Sequence, residues 1–493
     1  MSAVDIQSWG RLKGQTRQTP QWMRGKGTGW FRVAMADAAI ARVSLGAASV
    51  LAIAVAYILT DHGALVAGAT MLVPGAAFVI MRRRGYGFLL AVGLLMLVPY
   101  WYKHVWLIAP VAMALGLFAG IAPTRLRVVD NCVIVLTTVL AISWLSHPEL
   151  GISGTTFIQG VLPLVYYFGA RLTVTDRLLP RVQWTLVLAG GVAACTVLFE
   201  AAHGAPLFAA PRTYQWIGSK SLLFRAGSIF GGSPTAATIL AVVLLLSVAV
   251  YQRHRRLVAG IMTIILAGLI TTFDRAGLMA LLAGGTLLAI LVPYRHWGRL
   301  ALAALALSIP IYAVTSSPAT LEALATSRVV GEGLVRSSTI AERANLAAAA
   351  KAVMSDSTMH LAFGRGFDAL EATGKLDANL ASYPDLWFAH HGPNNDYLRA
   401  ILEQGIVGLG VILAWLAGAL WLGITTCWVL PKNSPSRTVI AGLTAATLGY
   451  MVAAAGHDFL HNVADLSIAA LVTGVLVSAC TMATQTRTPA QSR

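Results

Sequence analysis

From residue 43 to residue 485 the chain alternates long apolar runs with short polar interruptions. A helix needs about 20 mostly apolar residues to cross the hydrocarbon of a bilayer. By that length the runs near 43–60, 63–81, 85–102, 105–123, 128–147, 152–170, 183–201, 233–251, 257–273, 276–294, 300–315, 397–430, 437–456 and 463–485 predict about fourteen transmembrane helices. The runs at 152–170 and 300–315 are the weakest, and 397–430 is long enough to tilt or to begin outside the bilayer. The expected fold class is an all-α polytopic membrane protein with a large, partly helical extracytoplasmic loop.

Composition narrows the alternatives. Of the 493 residues 57% are hydrophobic and only 11% are charged, whereas a soluble chain carries roughly 25% charged residues to face water. So few charges cannot clothe several soluble globules, and they exclude disorder, coiled coil and a secreted disulfide scaffold. The four cysteines, Cys132, Cys195, Cys427 and Cys480, sit in apolar stretches without metal-ligand spacing and read as small packing residues.

Charge then orients the spans. The 36 Lys and Arg outnumber the 20 Asp and Glu, for a net charge of +16. Alternate loops collect the base: Arg82–Arg84, Arg125 and Arg127, Arg171, Arg177 and Arg181, Arg253, Arg255 and Arg256, Arg295 and Arg299, then Lys432 and Arg437. The intervening short loops are nearly free of it. Basic loops stay cytoplasmic, so both termini are expected in the cytoplasm. Residues 1–36 lack an apolar core and are not expected to form a cleavable signal. Their interleaved bases and aromatics (Trp9, Trp22, Trp30, Phe31) fit a cytoplasmic segment on anionic headgroups better than a nucleic-acid surface. The predicted organisation is this 1–36 segment, helices 1–11 over 37–315 with a basic outer loop at 202–232, a cap loop at 316–396, helices 12–14 over 397–485, and a cytoplasmic tail at 486–493.

The two long outer segments hold the candidate chemistry. The 202–232 segment carries Arg212, Lys220 and Arg225 and no acid, against the topological bias. Arg225 precedes Gly227, Gly231 and Gly232, and Ser233-Pro234 opens the next helix; an arginine beside a helix N-terminus suits an anion. Arg275 falls in Asp274-Arg275-Ala276-Gly277 at the outer junction of two helices, where it either binds an anion too or pairs locally with Asp274. The 81-residue 316–396 segment is too long for an idle linker. Within it Thr339–Val353 reads as a capped helix and Gly364-Arg365-Gly366 as a turn. Nine of the 20 acidic residues lie there, as a solvated loop requires. His390 and His391 are neighbours of the type that titrates near neutral pH, but they lack metal spacing. His457, Asp458 and His461 are further outer candidates, with helix-end capping as the plainer role. No phosphate-binding loop, serine elbow, acidic transferase pair or metal cluster appears, so neither metal nor cofactor is expected.

Four ordered segments resemble the bacterial O-antigen ligase and polysaccharide polymerase family: FRAGSIFGGSPTAAT, TTFDRAGLMALLAG, ERANLAAAAKAVMSDSTMHLAFGRGFDALE, and HHGPNNDYLRAILEQGIVGLG. They span roughly 220–415. In one respect the chain departs from the family, whose histidine directly precedes Asn-x-Tyr-Leu; here Asn394 stands in that place, before Asn395, Asp396, Tyr397 and Leu398. The resemblance implies a metal-independent, inverting membrane glycosyltransferase on the periplasmic face. Its donor is a polyprenyl-pyrophosphate-linked oligosaccharide and its acceptor a glycan or lipid-linked glycan. Arg225 and Arg275 would hold the pyrophosphate and His391, with His390 second, would be the base. Asn394, Asn395, Asp396, Tyr397, Arg365 and Glu403 would support the site. Membrane lipid, and a chain-length regulator or flippase, are the implied partners; nucleic acid is not. Polymerase is the expected activity. Ligase, passing the glycan to lipid A-core or to protein, and flippase or transporter of the lipid-linked glycan remain open.

Overall fold

The structure, a computed structural model, describes residues 84–97, 127–145, 160–204, 214–217, 221–224, 226–230, 232–251, 254–272, 274–292, 358–366, 395–457 and 463–485. Its helices are α1 (Arg84–Leu97), α2 (Val128–Leu145), α3 (Val165–Thr173), α4 (Leu179–His203), α5 (Ser233–Tyr251), α6 (Arg255–Thr271), α7 (Arg275–Leu291), α8 (Thr358–Phe363), α9 (Asp396–Val429), α10 (Pro435–Ala454) and α11 (Val463–Gln485). Six of them, α2, α4, α5, α9, α10 and α11, are long and apolar enough to cross a membrane, and α7 is a shorter apolar helix. These meet the predicted spans within a few residues. The expected spans at 43–60, 63–81, 105–123 and 300–315, and the 339–353 helix, lie outside the described residues, so the count of fourteen stands untested.

Two expectations change. The 152–170 run is not one helix where it is described: a 3₁₀ turn at Leu162–Leu164 interrupts it before α3, because Pro163 lacks the amide that a continuing helix needs. Nor are the described residues wholly helical. In the 202–232 segment β1 (Tyr214–Ile217) pairs antiparallel with β2 (Ser221–Phe224), Tyr214 opposite Phe224. Aromatic and branched residues around Gly218 favour such a hairpin over a helix.

Helix α5 lies at the centre, packed against α4, α6, α7 and α10. With apolar solvent outside the bundle, burial alone does not drive helices together. Close approach through small residues does. A Cβ on Gly284 of α7 would stand 2.7 Å from the Ala445 carbonyl oxygen of α10, so the two backbones touch. Hydroxyls in this medium bond back to their own helix: Thr444 to the Ile440 carbonyl at 2.7 Å, Thr447 to Leu443 at 2.9 Å and Ser247 to Val243 at 2.8 Å. The outward faces carry Val128, Leu145, Leu282, Ile290, Trp421 and Trp428, each more than 60% exposed. Such a surface belongs in lipid.

Buried polar contacts pin the two ends of the bundle. At one end Arg437 donates from Nε to the Leu291 carbonyl (2.9 Å) and from Nη1 to the Leu430 carbonyl (3.0 Å). One guanidinium thus closes the C-termini of α7 and α9, where the helix dipole favours a cation. At the same end Asp130, 1% exposed, accepts from Tyr167 (2.7 Å) and Arg171 (3.2 Å) and from the Arg127 amide (2.7 Å). This ties α2 to α3. The starts of α7 and α9 therefore lie at the opposite end of the bundle.

Candidate functional site

That opposite end gathers the chemistry. Asp274 has extended backbone, φ −98° and ψ 121°, and caps α7: its Oδ1 accepts from the amides of Ala276 (2.9 Å) and Gly277 (3.2 Å). Its Oδ2 lies 3.0 Å from Nε2 of His457, in the turn after α10. Because a carboxylate only accepts, Nε2 is the donor in this contact. Asp274 is buried, and the imidazole of His457 is 21% exposed. Solvent reaches the ring but not its anchor.

The backbone of His457 is held as well. Its carbonyl accepts from the Asp396 amide at 3.1 Å. Asn395, the cap of α9, accepts from the Leu398 amide at 3.1 Å and donates Nδ2 to the Ala455 carbonyl at 3.1 Å. The Tyr397 hydroxyl donates to the Met451 carbonyl at 2.7 Å. The end of α10 is thereby joined to the start of α9 through its backbone and to the start of α7 through one imidazole. Fully buried Asp465, at the start of α11, lies beside the Thr235 hydroxyl of α5 and within electrostatic reach of Asp274.

A second assembly sits about two turns further along α9. Gly405 has φ 70° and ψ −172°, a conformation essentially reserved for glycine, and it breaks the helix. Breaking a helix strands carbonyls that would have accepted from the next turn. The Gly364–Gly366 turn after α8 takes them up: the Arg365 amide donates to the Leu402 carbonyl and the Gly366 amide to the Glu403 carbonyl, both at 3.0 Å. Ser143 of α2 adds a hydroxyl to the Glu403 carbonyl at 3.4 Å. Side by side on the same turn, Arg399 and Glu403 form a buried ion pair at 2.9 Å.

The structure thus places Arg275 exposed at the first position of α7, and Asn395, Asp396 and Tyr397 around the start of α9. Arg365 and Glu403 lie at the helix break instead. Arg225, His390, His391 and Asn394 lie outside the described residues, although Ala226 next to Arg225 is buried and the 3₁₀ turn Ser228–Phe230 packs against α4 and α5. The local Asp274–Arg275 pair entertained from sequence does not form; the carboxylate serves the helix cap and His457. Sequence reasoning missed Arg399, although its i,i+4 spacing to Glu403 was a readable signal. It also missed the Asp130–Arg171 pair, which no local pattern announces. Among the described residues no group of three or more histidine, cysteine or acidic side chains could hold a metal ion.

No protein-family model and no curated protein matches the chain. Among solved structures it is similar to a chain from work on the structural coordination of polymerization and crosslinking by a peptidoglycan synthase complex. That likeness has 15% identity over 72% of this chain and 96% of that chain, with a TM-score of 0.33.

Proposed function

We propose that this protein is a membrane glycosyltransferase that joins glycans carried on polyprenyl pyrophosphate, acting as a polymerase of exopolysaccharide or O-antigen repeat units on the periplasmic face. One observation carries the reading. The ends of α7, α9 and α10 meet at one end of the bundle, placing an exposed arginine, Arg275, beside a carboxylate-anchored imidazole and the Asn395-Asp396-Tyr397 segment. Pyrophosphate is a good leaving group once its growing charge is neutralised, and two arginines, Arg275 and Arg225, meet that need by bidentate contact. The acceptor hydroxyl is a weak nucleophile and needs a positioned base, for which the family resemblance offers His391, with His390 second. Chain length supports the juxtaposition: His391 is four residues from Asn395, at most about 14 Å along extended backbone. Attack opposite the departing pyrophosphate inverts the anomeric carbon.

A transporter would build its site from paired broken helices at mid-membrane. The break at Gly405 is instead closed by the protein's own Gly364–Gly366 amides. Deleting the gene and profiling lipid-linked and surface glycans tests the assignment. Accumulating single repeat units support the polymerase. Full-length chains stranded on the polyprenyl carrier assign a ligase, and an unchanged profile overturns the proposal. Full complementation by each of Arg225→Ala, Arg275→Ala and His391→Ala would overturn the assigned residues.

A further inference from the structure

We propose that the protein binds a hard monovalent cation, of the sodium class, in the seam between α5, α10 and α11, with Asp465 as its anionic ligand and the Thr235 and Thr238 hydroxyls as neutral ones. The inference stands independently of the glycosyl-transfer reading.

Helical spacing defines the seam. On α11, Asp465 shares a face with Ile468, Ala469 and Thr473, at i, i+3, i+4 and i+8. On α5, Thr235 and Thr238 share a face with Val242, at i, i+3 and i+7. Val242, Ile468, Ala469 and Thr473 line one cavity together with Thr447 and Tyr450 of α10; its volume is about 10 Å³, room for about one water. The two faces therefore turn toward each other. Asp465 and the two threonines stand above that cavity, at the heads of α11 and α5. Tyr450 is within electrostatic reach of Asp465, and the Thr235 hydroxyl stands beside the carboxylate without reaching hydrogen-bond geometry.

The carboxylate lacks a counter-charge. Asp465 is fully buried, and neither of its oxygens has a hydrogen-bond partner. The Thr238 hydroxyl, 1% exposed, has none either, whereas Ser247, Thr444 and Thr447 close on their own helices. The charge acting on Asp465 is that of another acid, Asp274, which already engages His457 and two amides of α7. Among the described arginines toward this end, Arg275 is exposed on α7, and Arg365 and Arg399 lie at the helix break. Asp465 sits in the first turn of α11, where the helix dipole favours its ionised form. An ionised carboxylate held out of water without a partner is strongly disfavoured. A cation bound beside it removes that penalty.

The donor set selects the ion. Carboxylate and hydroxyl oxygens are hard ligands, and one carboxylate balances one positive charge. A calcium ion asks for about 6–8 oxygens with several carboxylates among them, and the described residues bring no three acidic or histidine side chains together for a metal. The monovalent ion makes and breaks no bond in the reaction; it ties α5 to α11 beside the cap of α7.

Thermal unfolding of the full chain in lipid nanodiscs tests the site, with NaCl titrated against choline chloride at constant ionic strength. The unfolding temperature is expected to rise with sodium and to saturate, because an ion bound only by the folded state stabilises it by linkage. Asp465→Asn removes the charge and keeps the shape. It is expected to lose the sodium response and, in choline alone, to unfold no earlier than the wild type. Thr238→Val keeps the volume and should raise the half-saturating sodium concentration at least about tenfold; it carries the test if Asp465→Asn does not fold. Equal unfolding temperatures in sodium and choline would mean a protonated or hydrated carboxyl and overturn the proposal. So would a sodium response that survives Asp465→Asn, or one that Thr238→Val leaves unchanged. A larger shift with calcium chloride than with NaCl at equal ionic strength would overturn the monovalent assignment.

Discussion

Arg399 and Glu403 face each other across one turn of α9, 2.9 Å apart and buried, immediately before the helix breaks at Gly405. Desolvating two charges costs several kcal/mol, and their attraction offsets that cost only while both are present. Glu403→Ala should therefore destabilise the protein by about 3–5 kcal/mol, because it leaves a buried guanidinium without its carboxylate. The paired replacement Arg399→Met with Glu403→Leu should recover most of that loss. Thermal unfolding in detergent checks both, and a double variant no more stable than Glu403→Ala would refute the pairwise account.

The two glycines at the break should fail together. Gly364 and Gly405 both have positive φ, 77° and 70°. A Cβ on Gly364 would run into the Glu403 carbonyl group, and one on Gly405 into the Ala362 carbonyl. Each substitution by Ala adds left-handed strain of about 1–3 kcal/mol to that overlap. Since both changes separate the same two backbones, the double variant should lose clearly less than the sum of the singles. Limited proteolysis after residue 366 gives a second readout, with faster cleavage expected in every variant. Additive losses would show that the turn and the helix break are independent.

At the other end, Arg437 serves two helix C-termini at once. Hydrogen bonds from a charged donor contribute about 1.5–3 kcal/mol each, so Arg437→Ala should cost on the order of 3 kcal/mol or more. Arg437→Lys should restore only part of this, because an ammonium lacks the fork that spans the Leu291 and Leu430 carbonyls. Equal stability of the Lys variant and wild type would mean that charge alone matters there.

How far the sequence discloses such features depends on whether they are local. The apolar runs ending in α4, α5, α7, α9, α10 and α11 are read directly, since one helix needs one continuous stretch. Pro163 escaped notice because a proline in an apolar run changes only one hydrogen bond. The hairpin Tyr214–Phe224 is only 11 residues long, too short to register against helices of 20. In the site, Arg275 is legible because a charge beside an apolar span stands out. Its partner relation is not: Asp274 adjoins Arg275 in sequence, yet bonds His457, 183 positions away. Likewise Arg365 is visible as part of a turn, but the carbonyls it satisfies exist only once α9 has broken.

The orientation of the bundle yields the last expected outcome. Arg127, Arg171, Arg177, Arg181, Arg255, Arg256, Lys432 and Arg437 all belong to the loops and helix ends opposite Asp274. Among the described residues only Arg275, Arg365 and Arg399 lie toward the Asp274 end. Arginine and lysine near helix ends hold a loop in the cytoplasm, so the Asp274 end should face outward, where a lipid-linked glycan is presented after flipping. Two exposed positions report the two faces: Ala202 near the end of α4 and Asn433 between α9 and α10. In a protein with exposed Cys195 replaced by Ala, a membrane-impermeant maleimide added to spheroplasts should label Ala202→Cys. Asn433→Cys should label only after the membrane is permeabilised. The reverse pattern would put Arg275 and the Asp274–His457 pair in the cytoplasm, where the flipped donor is out of reach, and would remove the basis for transfer at that end of the bundle.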